Sequence, residues 1–157
     1  MPRRSYKKRE INPDPVYNSK TVAKLINYIM KDGKKSVAER IVYSAFDKIK
    51  AKKLDPIEIL DKAIENTAPE MEVRARRLGG ASYLVPLPVR PNRKIFLSLN
   101  WIIEAASKKS SKQFKNFTEK LTDELLLAAK GEGGAVEKRQ EVEKLVEANK
   151  AFAHLRW

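Results

Sequence analysis

The chain has 157 residues, 42% of them hydrophobic, which is enough for one compact domain with its own core and too few for two large ones. Its 33 Lys and Arg against 20 Asp and Glu give a formal charge of +13, pointing to a polyanionic partner, nucleic acid first and a membrane surface second. No cysteine and one histidine leave no disulfide framework, cysteine zinc site or thiol nucleophile; no apolar run approaches the roughly 18 to 20 residues of a membrane span, and the basic start lacks a signal peptide's apolar stretch.

The charge is uneven. Residues 1–94 hold 22 Lys and Arg against 11 Asp and Glu, whereas residues 95–157 hold 11 against 9, so binding is expected to favour the first part. The opening "MPRRSYKKREINPDP" carries Arg3, Arg4, Lys7, Lys8 and Arg9 beside Glu10, with three prolines and almost no apolar content. It cannot bury enough to fold alone and reads as a basic arm over residues 1–15 that orders on phosphate. Residues 16–157 are then the folded domain.

"SKTVAKLINYIMKDGKK" places Val22, Leu25, Ile26, Ile29 and Met30 on one helical face, with Ser19 able to cap its start and Gly33 to end it. The next helix, "KSVAERIVYSAFDKIKAKK", has Val37, Ile41, Val42, Ala45, Phe46 and Ile49 on its core face. A third opens at "DPIE": Asp55 caps, Pro56 takes the first helical position, and Glu58 completes a capping box. Its inward residues are Ile57, Leu60, Ala63 and Ile64, and Pro69 closes it.

The helical pattern then breaks. In "EVRARRLGGASYLVPLPVRPNRK" two runs of period-two alternation flank Gly79-Gly80, the pattern of a β-hairpin at about 72–90. Pro86 and Pro88 lack amide donors on the same side, so the ribbon must be two-stranded or keep an exposed edge. An isolated hairpin is marginal in water, so it should root in the helical body and leave its tip free. Arg74 and Arg76 should share one face, with Arg77 on the other unless a bulge intervenes. Leu78, Tyr83 and Leu84 put apolar groups by a tip with little core to enter.

Helices resume with "NRKIFLSLNWIIEAASKK", where Ile95, Leu99, Ile102, Ile103 and Ala106 mark the buried face and Trp101 its boundary. A lysine-rich connection leads to a fifth helix with Phe114, Phe117, Leu121 and Leu125 in one stripe, ended by "KGEGG". The last helix, "AVEKRQEVEKLVEANKAF", balances its charges. The fold class is therefore mainly α, a single domain of about six helices with a protruding two-stranded β-ribbon.

Catalytic constellations are lacking. "DGKKS" is no phosphate loop, since Tyr28 and Lys35 stand where Gly and Ser or Thr are required, and "GEGGAV" is no dinucleotide fingerprint. His154 has no neighbouring carboxylate, and Asp123-Glu124 sits among lysines as a solvated helical face. No enzyme, cofactor or metal is expected. The basic clusters remain, and guanidinium groups both fork onto phosphate and stack on unpaired bases.

Three stretches in order carry a family resemblance: "SKTVAKLINYIMKDGKKSVAERIVYSA", "VRARRLGGASY" and "EANKAFAHLRW". They resemble the small-subunit ribosomal protein S-seven family across essentially the whole chain. The resemblance implies a protein that binds the 3′ major domain of small-subunit ribosomal RNA and nucleates assembly of the head, in a cytoplasmic or organellar ribosome. By that analogy the arm, Lys34, Lys35, Arg74, Arg76, Arg77, Arg90, Arg93, Lys94, Lys108, Lys109, Lys112 and Lys115 contact RNA, with Lys138 and Arg139 as further sites. The ribbon tip, Leu78, Gly79, Gly80, Ala81, Ser82 and Tyr83, would lie near exit-site transfer RNA and messenger. Asn149, Phe152 and His154 would meet ribosomal protein eleven, with proteins nine, thirteen and nineteen as head neighbours. Members of that family often carry glutamine where Leu84 stands and glutamate where Pro88 stands, and tend to be basic where Glu132 and Glu137 stand. From composition and hairpin alone, a free-standing architectural protein gripping DNA is the alternative.

Overall fold

A computed structural model describes residues 10–155. Arg3, Arg4, Lys7, Lys8 and Arg9 of the arm lie outside the described residues. The element order is α1 (Lys20–Ile29), α2 (Lys35–Ala51), α3 (Pro56–Thr67), β1 (Met71–Leu78), β2 (Ala81–Pro88), α4 (Pro91–Lys108), α5 (Phe117–Ala129), α6 (Gly134–Ala148) and a terminal 3-10 helix, Lys150–Leu155.

Helix α5 is the hub, packing on α2, α3, α4 and α6, while α1 packs on α2 and α4. Val22, Leu25, Val42, Phe46, Ile49, Leu60, Leu99, Ile102, Leu121 and Leu125 are fully buried where these helices meet. Each such aliphatic or aromatic side chain contributes roughly 1.5–3 kcal/mol of burial. Asn66 of α3 ties the hub down, its Nδ2 donating to the carbonyls of Ala128 and Ala129 at 2.9 and 3.0 Å, where α5 runs out of partners of its own.

Two helix starts, those of α1 and α3, obey local chemistry. Ser19 Oγ accepts from the Val22 amide at 3.4 Å, and Asp55 Oδ1 from the Ile57 amide at 2.8 Å with Pro56 at the first position. Glu58 does not complete the capping box, because its carboxylate takes Lys62 one turn on at 2.6 Å. Helix α1 ends at Ile29 rather than at Gly33; Asp32 and Gly33, both at positive φ, form the turn that follows. In α2 the buried face is rotated by one residue at its start: Ala38 is buried and Val37 is exposed. Phe114 lies before α5, in the connection, with Lys109 Nζ 5.8 Å from its ring centroid.

One expectation fails outright. Glu124, read as part of a solvated face, is completely buried. Its Oε1 accepts the Ala135 amide at 3.0 Å, capping the start of α6, and Lys109 Nζ lies 2.8 Å from its Oε2. That second contact is an ion pair without hydrogen-bond geometry, and the same ammonium donates to Asp123 Oδ2 at 2.6 Å. Gly133 makes the approach possible: a Cβ there would sit 3.0 Å from Glu124 Oε1, and its φ of 95° is one that side chains rarely adopt.

The described end of the arm is held firmly. Asp14, 3% exposed, accepts the Val16 and Tyr17 amides through Oδ2 and the Tyr43 hydroxyl through Oδ1 at 2.7 Å. Tyr17 stands edge-on to Phe46 at 5.1 Å, with Lys50 Nζ 4.8 Å above its ring. Burial, and then the Asp14 hydrogen bond and charge, push the Tyr43 phenol far above its ordinary value of 10.0. A folded-state value raised above the unfolded one means full stability below about pH 10 and loss as pH rises beyond it. Tyr43→Phe removes that alkaline loss and, by stranding a buried carboxylate oxygen, costs about 1–3 kcal/mol at neutral pH. Urea unfolding at pH 7 and pH 10.5 measures both.

Candidate nucleic-acid interface

Strands β1 and β2 pair antiparallel in a two-stranded sheet, one residue against one from Met71↔Pro88 to Leu78↔Ala81, with no bulge. Gly79 (φ 55°) and Gly80 (φ 90°) make the two-residue loop, whose successive positive φ values match a hairpin turn that suits the twist of its strands. The ribbon roots in the body as expected. Helix α6 packs on β1, the 3-10 helix packs on β2, and Val85 and Val89 are buried.

The tip is smaller than its sequence indicated. Tyr83 turns onto the C-terminal 3-10 helix, its ring centroid 5.3 Å from that of Phe152, which leaves Gly79, Gly80, Ala81 and Ser82 as the exposed end with Leu78 half-buried beside them. Phe152 is thus half-buried within the chain itself. Asn149 Nδ2 donates to the Leu145 carbonyl at 2.8 Å, and exposed His154 Nδ1 lies 2.8 Å from the Ala151 carbonyl.

At the ribbon's root the arginines converge. Glu72, Arg74, Arg76, Leu87, Pro88, Arg90 and Arg93 line a concave site of about 460 Å³. The alternation that puts Arg74 and Arg76 into it sends Arg77 to the opposite face, across from Ser82. Arg90 reaches it from the β2–α4 junction, where Pro91 opens α4, and Arg93 from the first turn of that helix. Arg74 Nε donates to Glu72 Oε1 at 2.9 Å, and Arg93 Nε lies 3.3 Å from Oε2 of the same carboxylate. Arg93 also lies over the Phe96 ring, 5.0 Å from guanidinium carbon to centroid. Pro88, odd in a strand, supplies with Leu87 an apolar wall to this cleft. Leu84 is 41% exposed on the Arg77 face.

The other basic candidates divide by what already neutralises them. Lys34 is exposed on the α1–α2 turn, and Lys35 beside it pairs loosely with Glu39 at 3.7 Å. Lys112 and Lys115 are exposed in the α4–α5 connection, whereas Lys108 pairs with Glu104 at 2.7 Å and holds that carboxyl below its usual range. Lys109 is turned inward to Asp123 and Glu124, only 16% of its side chain exposed. Lys138 and Arg139 pair along α6 with Glu141 (2.8 Å) and Glu143 (3.5 Å). Lys94 is half-buried beside the cleft without lining it.

Sequence reasoning missed Glu72 as part of the site. Its position two residues before Arg74 puts both on one strand face, so opposite charge at that spacing was the available signal. Among the described residues no group of three or more His, Cys, Asp or Glu could hold a metal ion, and no helix is long and apolar enough to cross a membrane.

A helical body presents an arginine-lined cleft at the foot of a two-stranded ribbon, a surface whose charge suits a polyanion. The family model for ribosomal protein S7p/S5e matches residues 1–150. Small ribosomal subunit protein uS7 of Caldicellulosiruptor bescii is 52% identical over the whole of both chains, and that of Thermodesulfovibrio yellowstonii likewise 52%. The uS7 protein of Francisella tularensis subsp. holarctica is 51% identical over 96% of this chain and 95% of its own. The chain belongs to the S7p/S5e family of ribosomal proteins, which are structural and not enzymes.

Proposed function

We propose that this chain is a structural protein of the bacterial cytoplasmic small ribosomal subunit that binds the 3′ major domain of its ribosomal RNA and nucleates assembly of the head. The observation that carries this reading is the convergence of Arg74, Arg76, Arg90 and Arg93 on one cleft, in a chain of the S7p/S5e family. Phosphate contacts from Lys and Arg provide affinity, and guanidinium planes add stacking on unpaired bases, which is how single-stranded loops in folded RNA are held. Lys34, Lys35, Lys112 and Lys115 extend the contact over exposed turns, and the arm adds five further cations. Arg77 and Lys94 flank the cleft.

The ribbon tip, Leu78 to Ser82, reaches toward exit-site transfer RNA and messenger, and the C-terminal segment with Asn149, Phe152 and His154 meets ribosomal protein eleven, with proteins nine, thirteen and nineteen as neighbours in the head. Because Tyr83 packs on Phe152, the ribbon and the C-terminal segment form one unit.

Sedimentation of a lysate at high and low magnesium tests the assignment. The chain is expected to follow the small subunit at both concentrations, and to bind an isolated 3′ major domain fragment more tightly than generic RNA. Migration with chromosomal DNA and never with small subunits would instead identify a free-standing architectural protein.

A further inference from the structure

We propose that Arg93 is a stacking platform for a single unpaired RNA base, so that the cleft at the ribbon's root takes a looped-out nucleotide rather than the backbone of a duplex. The inference deepens the RNA-binding reading above and rests on it. Two contacts hold the Arg93 side chain: its Nε lies 3.3 Å from Glu72 Oε2, and its guanidinium carbon lies over the Phe96 ring, 5.0 Å from the centroid. Phe96 follows Arg93 by three residues in α4, so the two side chains are neighbours on the helix surface. The Phe96 ring is itself buttressed by Tyr28, edge-on to it at 5.4 Å. One side of the guanidinium thus rests on an aromatic ring and one edge on a carboxylate, while the Arg93 side chain stays 44% exposed and lines the cleft. What it offers the cleft is its other face and its Nη edge.

A guanidinium held in this way is a flat cation with one face covered, and an unpaired base completes the stack on the other. Because the side chain is ordered beforehand, the base loses less of its stacking energy to fixing it. The rest of the cleft suits the same guest. Leu87 and Pro88 give it an apolar wall, and its volume of about 460 Å³ falls within the roughly 300–1,000 Å³ of small-ligand sites. Arg90, exposed where β2 passes into α4, belongs to the same lining and can take the nucleotide's own phosphate. A paired base cannot use this arrangement, because its faces are covered by its neighbours in the helix. The charge of the cleft acts on every RNA alike, whereas the stacked base is a contact that only an unpaired nucleotide makes, and selectivity comes from that difference.

The test uses the full chain and two RNA hairpins identical but for one bulged residue, which carries adenine in the first and no base in the second, so that charge and backbone match. Fluorescence anisotropy near about 0.2 M salt, where contacts to phosphate alone are weakened, is expected to show the adenine hairpin bound about five- to tenfold tighter. Arg93→Lys keeps the charge and loses the plane. It should bind the abasic hairpin within about twofold of wild type and with the same salt slope, while its preference for adenine falls below about twofold. Phe96→Leu removes the aromatic backing and should leave an intermediate preference; Arg93→Lys, at a half-exposed position, decides the matter alone if Phe96→Leu does not fold. An undiminished preference in Arg93→Lys overturns the platform. Equal binding of the two hairpins by a wild-type chain that still prefers a 3′ major domain fragment to generic RNA overturns the looped-out nucleotide and leaves the RNA-binding reading standing. A wild-type chain with neither preference overturns both.

Discussion

Glu124→Ala is expected to lower the unfolding free energy by about 2–4 kcal/mol, a large share of what holds a domain of this size together. The carboxylate is fully buried and does two jobs: it caps α6 through the Ala135 amide and faces the Lys109 ammonium. Removing one partner of a buried ion pair ordinarily costs about 3–5 kcal/mol, but Asp123 still takes Lys109 at 2.6 Å, which reduces the loss. The deletion also empties a space that Leu127 and Gly133 wall on one side. Glu124→Gln, which keeps the size and the Oε1 acceptor, should lose about half as much. Urea unfolding with an unchanged slope separates the two variants, and hydrogen exchange at the Ala135 amide reports whether α6 loosens first. Equal stability of wild type and Glu124→Ala would mean that the carboxylate is tolerated rather than needed.

The second large effect concerns the cleft. Replacing Arg74 and Arg93 together with alanine should weaken binding of the 3′ major domain fragment about 10- to 100-fold near 0.1 M salt and lower the salt slope by about two. Arg77→Ala, on the opposite face of β1, should reduce the slope by at most one. Lys138→Ala with Arg139→Ala should change little, because neither side chain lines the arginine cleft. Filter binding across a potassium chloride series checks all three, and an unchanged slope in the Arg74/Arg93 double variant would exclude the cleft as the phosphate site. The double variant leaves Glu72 without its two partners, so its melting temperature belongs beside the binding data.

Much of the fold was legible because local chemistry and tertiary packing agree. Ser19, Asp55 and Pro56 start helices by interactions confined to a few residues, and the apolar stripes of α1, α3 and α4 fall where the core is. The hairpin was legible for the same reason, since Gly79-Gly80 between alternating runs admits few other conformations. Glu58 shows the limit even there, because two local partners competed and Lys62 won.

Residues whose role depends on distant chain were not legible. Asp123 and Glu124 have the same spacing from surrounding lysines as any solvated helical face, and only the return of α6 across α5 buries one and leaves the other at the rim. Lys109 looks like its neighbours Lys108 and Lys112 until that burial turns it inward. Tyr83 reads as an exposed tip until a terminal 3-10 helix arrives beneath it.

By itself, then, the sequence determined the charge, the helical class, the two-stranded ribbon and the sharing of one face by Arg74 and Arg76, because period, capping and turn residues act over short distances. The tertiary structure alone decided which charges converge and which already face a carboxylate. Arg90 and Arg93 join the ribbon arginines because α4 begins where β2 ends, Glu72 sits beneath them, and Lys109, Lys138 and Arg139 are already neutralised by carboxylates. A charge becomes part of a binding site or of the scaffold according to what packs beside it, and that is fixed only when the helices close on one another.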